Sequence, residues 1–304
     1  MTSPIVYLNG QFLSADAAKI SPFDRGFLFA HAAYEVTAVY NGKLIDFDSH
    51  LARLGQTLDG LEIPHLPDDL ANLHHELMAR NNLTEGLIYL QVTAGDYGFR
   101  DFYGPEVFTP ALFMFTTAKQ LIGDTARNGI TAITLEDTRW KRRDMKTTQL
   151  ASQTLAYRKA RRAGAYTAFL YEDGYVTEAA SANAWIVLED GTLVTRDLSN
   201  ALLPGITRQS LLSILEHAGL RIEERAFSVA EAKSAAECFT SSTGVVIAPV
   251  LKLDDTKIGN GTPGPVTRRV QRAYYEYIGA DVAIVAPWAS EGAGVMTVPD
   301  RQTT

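Results

Sequence analysis

Apolar and polar residues alternate in short runs along the first third of the chain. Ile5–Leu8 and Gln11–Leu13 flank Asn9-Gly10, and Val36–Tyr40 and Lys43–Asp46 flank Asn41-Gly42. Both residues of an Asn-Gly turn tolerate positive φ, so each set predicts a hairpin. The period then changes from two to nearly four. Ser49–Leu61 carries Leu51, Leu54 and Leu58 on one stripe, and Asp68–Arg80 carries Leu70, Leu73 and Leu77, which predicts two helices. Leu87–Thr93 and Ala111–Thr116 are apolar enough for buried strands. Between them lies Gly95–Thr109, rich in glycine and aromatics and long for a plain connection.

The polar stretch Thr117–Asp124 suggests a link between domains. The expected division is residues 1–118 as a small domain, 119–125 as linker, 126–287 as a larger domain and 288–304 as a loosely held tail. A strand over Gly129–Thr134 precedes the basic loop Arg139–Lys146, and a helix is predicted from Thr148 to Ala163, stopped by Gly164. Strands follow at Tyr166–Tyr171, Val176–Thr177 and Ala182–Leu188, then a helix over Arg208–Ala218. Ser228 and Glu231 form a capping box, Cys238–Ser242 and Val245–Leu253 are strands, and Pro265–Ile278 is a final helix. Hairpins dominate over strand–helix–strand units, so the expected class is α+β with antiparallel or mixed sheets.

Composition narrows the functions. The 304 residues are 46% hydrophobic and 21% charged, enough for a sizeable core and for two domains. A net charge of −7 argues against nucleic acid as a partner, which requires clustered cations. A single cysteine, Cys238, excludes an internal disulfide framework and fits a reducing compartment. The start MTSPIVYLNGQFL has no basic run before an apolar one, and no stretch approaches the ~20 apolar residues of a membrane span, so a cytoplasmic protein is expected. The six histidines show no zinc spacing, so no metal is expected, and the adjacent His74 and His75 read as a solvated or partly packed pair.

Three features suggest chemistry, though each has a plain alternative. Lys146 sits between the basic loop and a helix, where a lysine is held at a pocket wall or is simply exposed. Glu178 follows a hairpin and precedes the small-residue run Ala179–Ala182, although hairpin carboxylates are usually solvated. Gly205-Ile206-Thr207-Arg208 opens a helix whose first N–H groups suit a phosphate, although Pro204-Gly205 is also ordinary turn chemistry.

Their order, with the segments around them, is more specific. FDRGFLFAHAAYEVTAVYNGK (23–43), HLARL (50–54), RRDMKTTQL (142–150), AGAYTAFLYEDGYVTEAASANAWIV (163–187), LLPGITR (202–208) and FTSSTGVVIAPV (239–250) stand in one order. With them the chain resembles the fold-type IV pyridoxal-phosphate enzymes, the family of D-amino-acid transaminase, branched-chain aminotransferase and aminodeoxychorismate lyase. The resemblance spans about residue 4 to residue 280. It implies a small N-terminal α/β sandwich, a larger C-terminal domain with a barrel-like β core, and a homodimer.

It also implies roles for individual residues. Lys146 matches the lysine that carries pyridoxal 5'-phosphate as a Schiff base, the cofactor cycling through its pyridoxamine form during turnover. Glu178 matches the carboxylate facing the pyridine nitrogen, and Arg53 the phosphate-binding arginine. Ile206 and Thr207 match the contacts at the helix start, and Ser242 and Thr243 a second phosphate loop. Tyr34-Glu35-Val36 and Tyr175–Glu178 resemble the D-amino-acid transaminase branch, in which Tyr34 and an Arg-x-His pair hold the substrate carboxylate. Here Arg100 matches the arginine, but Phe102 stands at the histidine position and Ala94 replaces an arginine. That loss of donors admits apolar substituents. The expected reaction is ping-pong amino transfer from a D-amino acid to a 2-oxo acid such as pyruvate or 2-oxoglutarate. An (R)-selective amine transaminase is the second reading, followed by a branched-chain L-amino-acid transaminase or an aminodeoxychorismate-type lyase.

Overall fold

The structure is a computed structural model that describes residues 3–66 and 69–289. Asp68, the expected helix start, and residues 290–304 of the expected tail lie outside the described residues. Among the described residues the chain divides into two compact units. The first runs to Leu121 and includes Met145–Leu150, and the second holds Ile122–Asp144 and the chain from Ala151.

In the first unit, β1 (Ile5–Leu8), β2 (Gln11–Ser14), α1 (Arg25–Phe29), β3 (Ala32–Tyr40) and β4 (Lys43–Leu44) come first. They are followed by α2 (Phe47–Gly60), α3 (Leu70–Arg80), β5 (Gly86–Thr93) and β6 (Ala111–Ala118). The strands form one sheet in the order β2-β1-β6-β5-β3-β4, with every pairing antiparallel. Both predicted Asn-Gly turns are present, with Asn9, Gly10, Asn41 and Gly42 all at positive φ. Strand alternation sends Ile88, Leu90 and Val92 of β5 inward against Leu54, Leu58 and Leu77 of the helices. Each such side chain removed from water contributes about 1.5–3 kcal/mol. The outward face carries a row of rings in contact, Tyr34–Tyr89 stacked at 5.6 Å, Tyr89–Phe115 stacked at 4.9 Å and Phe113–Phe115 tilted at 5.7 Å.

The second unit begins with α4 (Asp124–Asn128), β7 (Ile130–Glu136), α5 (Ala151–Arg162), β8 (Thr167–Glu172), β9 (Tyr175–Ala179), β10 (Asn183–Val187) and β11 (Leu193–Thr195). It continues with α6 (Ile206–His217), β12 (Ile222–Glu224), α7 (Val229–Ser234), β13 (Glu237–Ser242), β14 (Val246–Leu253), β15 (Thr256–Lys257), α8 (Pro265–Tyr277) and α9 (Val282–Val285). Its nine-stranded sheet runs β12-β11-β10-β13-β14-β7-β8-β9, with β15 on β14. The sheet is mixed: β11–β12, β14–β7 and β7–β8 are parallel and the other pairs antiparallel. Phe169, Ile186, Phe227, Ala248 and Val250 lie in its buried cluster.

Two expectations need correction. The expected domain of residues 126–287 is interrupted, because Met145–Leu150 joins the first unit through backbone hydrogen bonds to β3. For the same reason the helix expected from Thr148 starts at Ala151. The boundary between the units, Leu121 to Ile122, falls within the stretch 119–125; both residues are buried, and Leu121 N donates to Glu85 Oε1 at 2.8 Å. The histidine pair is partly packed: His75 is exposed, while His74 is buried and bonded through Nδ1 to Leu70 O at 2.6 Å, and burial holds its pKa down to about 4. No helix among the described residues is long and apolar enough to cross a membrane.

Candidate active site

The first unit holds Lys146 on a short added edge of its sheet. Tyr34 N donates to Lys146 O at 3.0 Å, Thr148 N donates to Ala32 O at 3.0 Å, and Ala33 bridges Thr147. Lys146 N donates to Thr57 Oγ1 at 3.1 Å. The side chain is half-buried, and its Nζ lies 4.2 Å from the centre of the Tyr34 ring. An ammonium over an aromatic face is attracted by the ring quadrupole, so Tyr34 and Lys146 form one unit.

Glu35 follows Tyr34 and, by strand alternation, points to the opposite, inner face. Its carboxylate takes a bidentate bond from Arg53, with Nε to Oε1 at 2.8 Å and Nη2 to Oε2 at 2.8 Å. His50 Nδ1 lies 2.7 Å from Oε2. Burial alone would raise the pKa of Glu35, but Arg53 and His50 outweigh it and hold the carboxyl at about 2. One face of α2 therefore presents His50, Arg53 and Thr57, one turn apart, to Glu35 and to the backbone of Lys146. Arg53 is thus oriented by a carboxylate that its assignment to a phosphate did not foresee.

Arg100 and Phe102 lie on the loop between β5 and β6. The Arg100 guanidinium lies 5.3 Å from the Phe29 ring and 4.7 Å from the Phe102 ring. Among the described residues, no hydrogen bond, ion pair or ring contact joins this pair to Tyr34 or Lys146.

In the second unit, Glu178 on β9 is buried. Arg139 forms an ion pair with it, Leu203 N donates to its Oε2 at 3.3 Å, and Asn183 Nδ2 at 3.4 Å. Burial pushes its pKa up, and the Arg139 guanidinium opposes that without overcoming it. Arg139 is shared with buried Asp137, to which Nε donates at 2.9 Å and Nη2 at 2.7 Å. Arg143 Nη1 donates to Glu172 at 2.8 Å, and Lys141 pairs with the same carboxylate. The basic loop is thus one half of an ion network of three cations and three carboxylates.

Asn183 connects this network to α6. Its Nδ2 donates to Leu203 O at 3.0 Å, and a Cβ on Gly205 would fall 2.0 Å from its Oδ1, so only glycine fits at 205. Gly205 caps α6 without a side-chain bond, and Ile206 and Thr207, the first two helical residues, are buried. By contrast, Glu237 accepts from Val266 N at 2.9 Å and Thr267 N at 2.7 Å at the start of α8. Beside α6, β13 ends at Ser242, whose Oγ accepts from Val245 N at 3.3 Å across the Thr243-Gly244 turn. Aligned N–H groups at a helix start favour an anion.

Glu35, His50, Thr57 and Arg139 are supports that the motifs do not predict. A glutamate inside the apolar strand AAYEVTAVY was the available signal, because a buried carboxylate requires a cation. His50 and Arg53, three apart in HLARL, lie on one helix face and supply it.

Comparisons with known proteins complete the picture. The model of the family described as amino-transferase class IV matches residues 32–253. A D-alanine aminotransferase of Staphylococcus aureus (strain N315) is 36% identical over 276 residues, covering 90% of this chain and 97% of that protein. A D-alanine aminotransferase of Bacillus licheniformis is 34% identical over 280 residues, covering 91% and 98%. Among solved structures, a branched-chain amino acid aminotransferase of Escherichia coli superposes with a TM-score of 0.82 at 23% identity, covering 91% of this chain and 94% of that one. That last likeness is one of fold.

Proposed function

The chain belongs to the class IV aminotransferases, and from that premise we propose that it transfers an amino group from a D-amino acid to a 2-oxo acid with pyridoxal 5'-phosphate. The observation that carries the donor class is the likeness to D-alanine aminotransferases across nine-tenths of the chain. The second unit's residues fit the cofactor. The uncapped start of α6 and the Ser242–Thr243 turn suit a phosphate. Glu178 is a buried carboxylate whose raised pKa marks incomplete neutralisation by Arg139, and a pyridinium N–H would complete it.

When bound, the cofactor supplies an aldehyde for the amino group and a ring that withdraws electrons from the substrate carbon. The protein's part follows from its own residues. Lys146 Nζ, held against Tyr34, would hold the cofactor at rest; once the donor's amino group displaces it, the freed amine would take the proton from the donor's α-carbon and deliver it to the cofactor carbon it had been bonded to. Glu178 holds the ring nitrogen's proton, and Arg139, Asn183 and Leu203 N fix the carboxylate for it. Arg53, aligned by Glu35 and His50, joins Ile206, Thr207, Ser242 and Thr243 as a phosphate partner. Tyr34 and Arg100 receive the substrate carboxylate, and Phe102 gives that loop its apolar character. Two half-reactions in ping-pong order result.

Phe102 favours one second reading. A ring in place of a hydrogen-bond donor suits an (R)-amine without a carboxylate. The minimal active unit in this proposal is a homodimer. Phe27, Phe99, Phe102, Tyr103 and Val107 are exposed apolar residues beside the Arg100 loop, a surface suited to a second copy of the chain.

A donor panel tests the function. D-alanine and D-glutamate with pyruvate or 2-oxoglutarate should turn over faster than (R)-1-phenylethylamine or L-leucine, and a preference for either of the latter overturns the donor class. Borohydride reduction of the holoenzyme should place the pyridoxyl group on Lys146, and a label on another lysine overturns that role.

A further inference from the structure

The Asp24-Arg25 pair has no part in the roles above, yet both side chains are buried, with relative exposures of 3% and 6%. Asp24 fixes the base of the Arg100 loop. Its Oδ2 accepts from Thr93 Oγ1 at 2.8 Å, and that hydroxyl oxygen accepts from Gly95 N at 3.0 Å. Arg25 N donates to Gly95 O at 2.9 Å.

The Arg25 side chain then reaches the middle of the loop. Nη1 donates to Asp101 O at 2.6 Å and Nη2 to Phe102 O at 3.1 Å, while Nε faces His31 Nδ1 at 3.4 Å. Its guanidinium lies 4.8 Å from the Phe29 ring and 5.2 Å from the Phe108 ring. At Gly104, φ is +69°, and a Cβ there would come within 2.8 Å of Phe108 and 3.2 Å of Arg25 Nη1. The loop is therefore drawn tightly over this cation. Phe29, which Arg25 covers, also touches Phe102 at 5.2 Å and receives Arg100.

Dehydrating a guanidinium is costly unless its N–H groups find acceptors. Here the acceptors are consecutive carbonyls of the segment that carries Arg100 and Phe102. Without the guanidinium the segment would regain backbone freedom.

We propose that Arg25 is a positioning residue for 2-oxo acid binding: by holding the carbonyls of Asp101 and Phe102 it fixes the ring platform from which Arg100 meets the substrate carboxylate. The inference rests on the reading of Arg100 as a carboxylate partner. Arg25 touches no substrate; its effect passes through Arg100.

The test compares Arg25→Met, Arg100→Ala and the double variant in the pyruvate half-reaction, followed by cofactor absorbance, with amide hydrogen exchange over residues 99–104. Arg25→Met should raise KM for pyruvate about tenfold with kcat within about twofold, as a displaced binding group does. It should speed exchange in the loop and leave the affinity for pyridoxal 5'-phosphate unchanged. The double variant should be no weaker than Arg100→Ala alone, because the two act in series. Arg25→Lys, which keeps the charge but loses the planar fork, should recover part of the KM and serves in its place where Arg25→Met does not fold. Unchanged loop exchange, or effects that multiply in the double variant, overturn the inference while leaving Arg100's role intact. An unchanged KM in Arg100→Ala overturns the reading of Arg100, and the route proposed for Arg25 with it.

Discussion

Glu35 and Glu178 are both buried on strands, with relative exposures of 3% and 4%, yet their surroundings set opposite charge balances. Glu35 receives two N–H groups of Arg53, from Nε and Nη2, and a histidine, and its pKa falls to about 2. Glu178 must share Arg139 with Asp137, and burial keeps its pKa raised. Equal burial thus yields a settled ion pair in one unit and an incompletely neutralised carboxylate in the other. The first is suited to holding a neighbour in place, and the second to receiving a further positive group.

The largest effect should come from removing the unsettled charge. Glu178→Gln should slow proton transfer roughly 10²–10³-fold, the loss typical of one aligned electrostatic group, while the cofactor stays bound. Single-turnover absorbance measures it, and an undiminished rate would place Glu178 away from the ring nitrogen.

Glu35→Gln should act on stability before chemistry. Leaving Arg53 buried without its carboxylate should cost about 3–5 kcal/mol, read from urea unfolding, and should weaken cofactor affinity through a misaligned Arg53. A loss no greater than that of a surface substitution would mean the pair is not the settled one described.

Acid should separate the two carboxylates more gently. A group whose folded pKa is depressed contributes stability above its unfolded pKa and loses it as pH falls toward the folded value. For Glu35 the window runs from about 4.5 down to about 2 and is worth about 3 kcal/mol. Glu178 has the opposite sign: its raised pKa weakens the folded state as pH rises through its titration. Unfolding free energies of the unmodified protein and Glu35→Gln should therefore converge below pH 4.5, whereas Glu178→Gln should gain on the unmodified protein as pH rises. Parallel curves would remove the contrast.

Local chemistry was legible in the sequence. Asn9-Gly10, Asn41-Gly42 and the Ser228–Glu231 capping box adopt the predicted geometry because each depends on neighbours within a few residues. The parallel pair β11–β12 was missed because three-residue strands show no periodicity. The candidate site was proposed from the sequence only in part. Lys146 and Glu178 are proposed from the order of their motifs. Their supports are not, because Glu35 and Arg53 are 18 residues apart and Arg139 and Glu178 are 39 apart. Arg25 carries no local signal, because the carbonyls its fork meets lie 76 and 77 residues further along the chain.

Met145–Leu150 gives the first unit a non-contiguous make-up. The edge of β3 from Ala32 to Tyr34 is paired by residues encoded after Ile122, so a fragment ending at Leu121 would expose unpaired N–H and C=O groups there. Open edges of this kind recruit other strands. Such a fragment should therefore be prone to self-association unless the missing hexapeptide is supplied by fusion. During synthesis the first sheet can complete that edge only after the chain has gone on to begin the second unit, which makes the two units separable by geometry but not by a single cut in the gene.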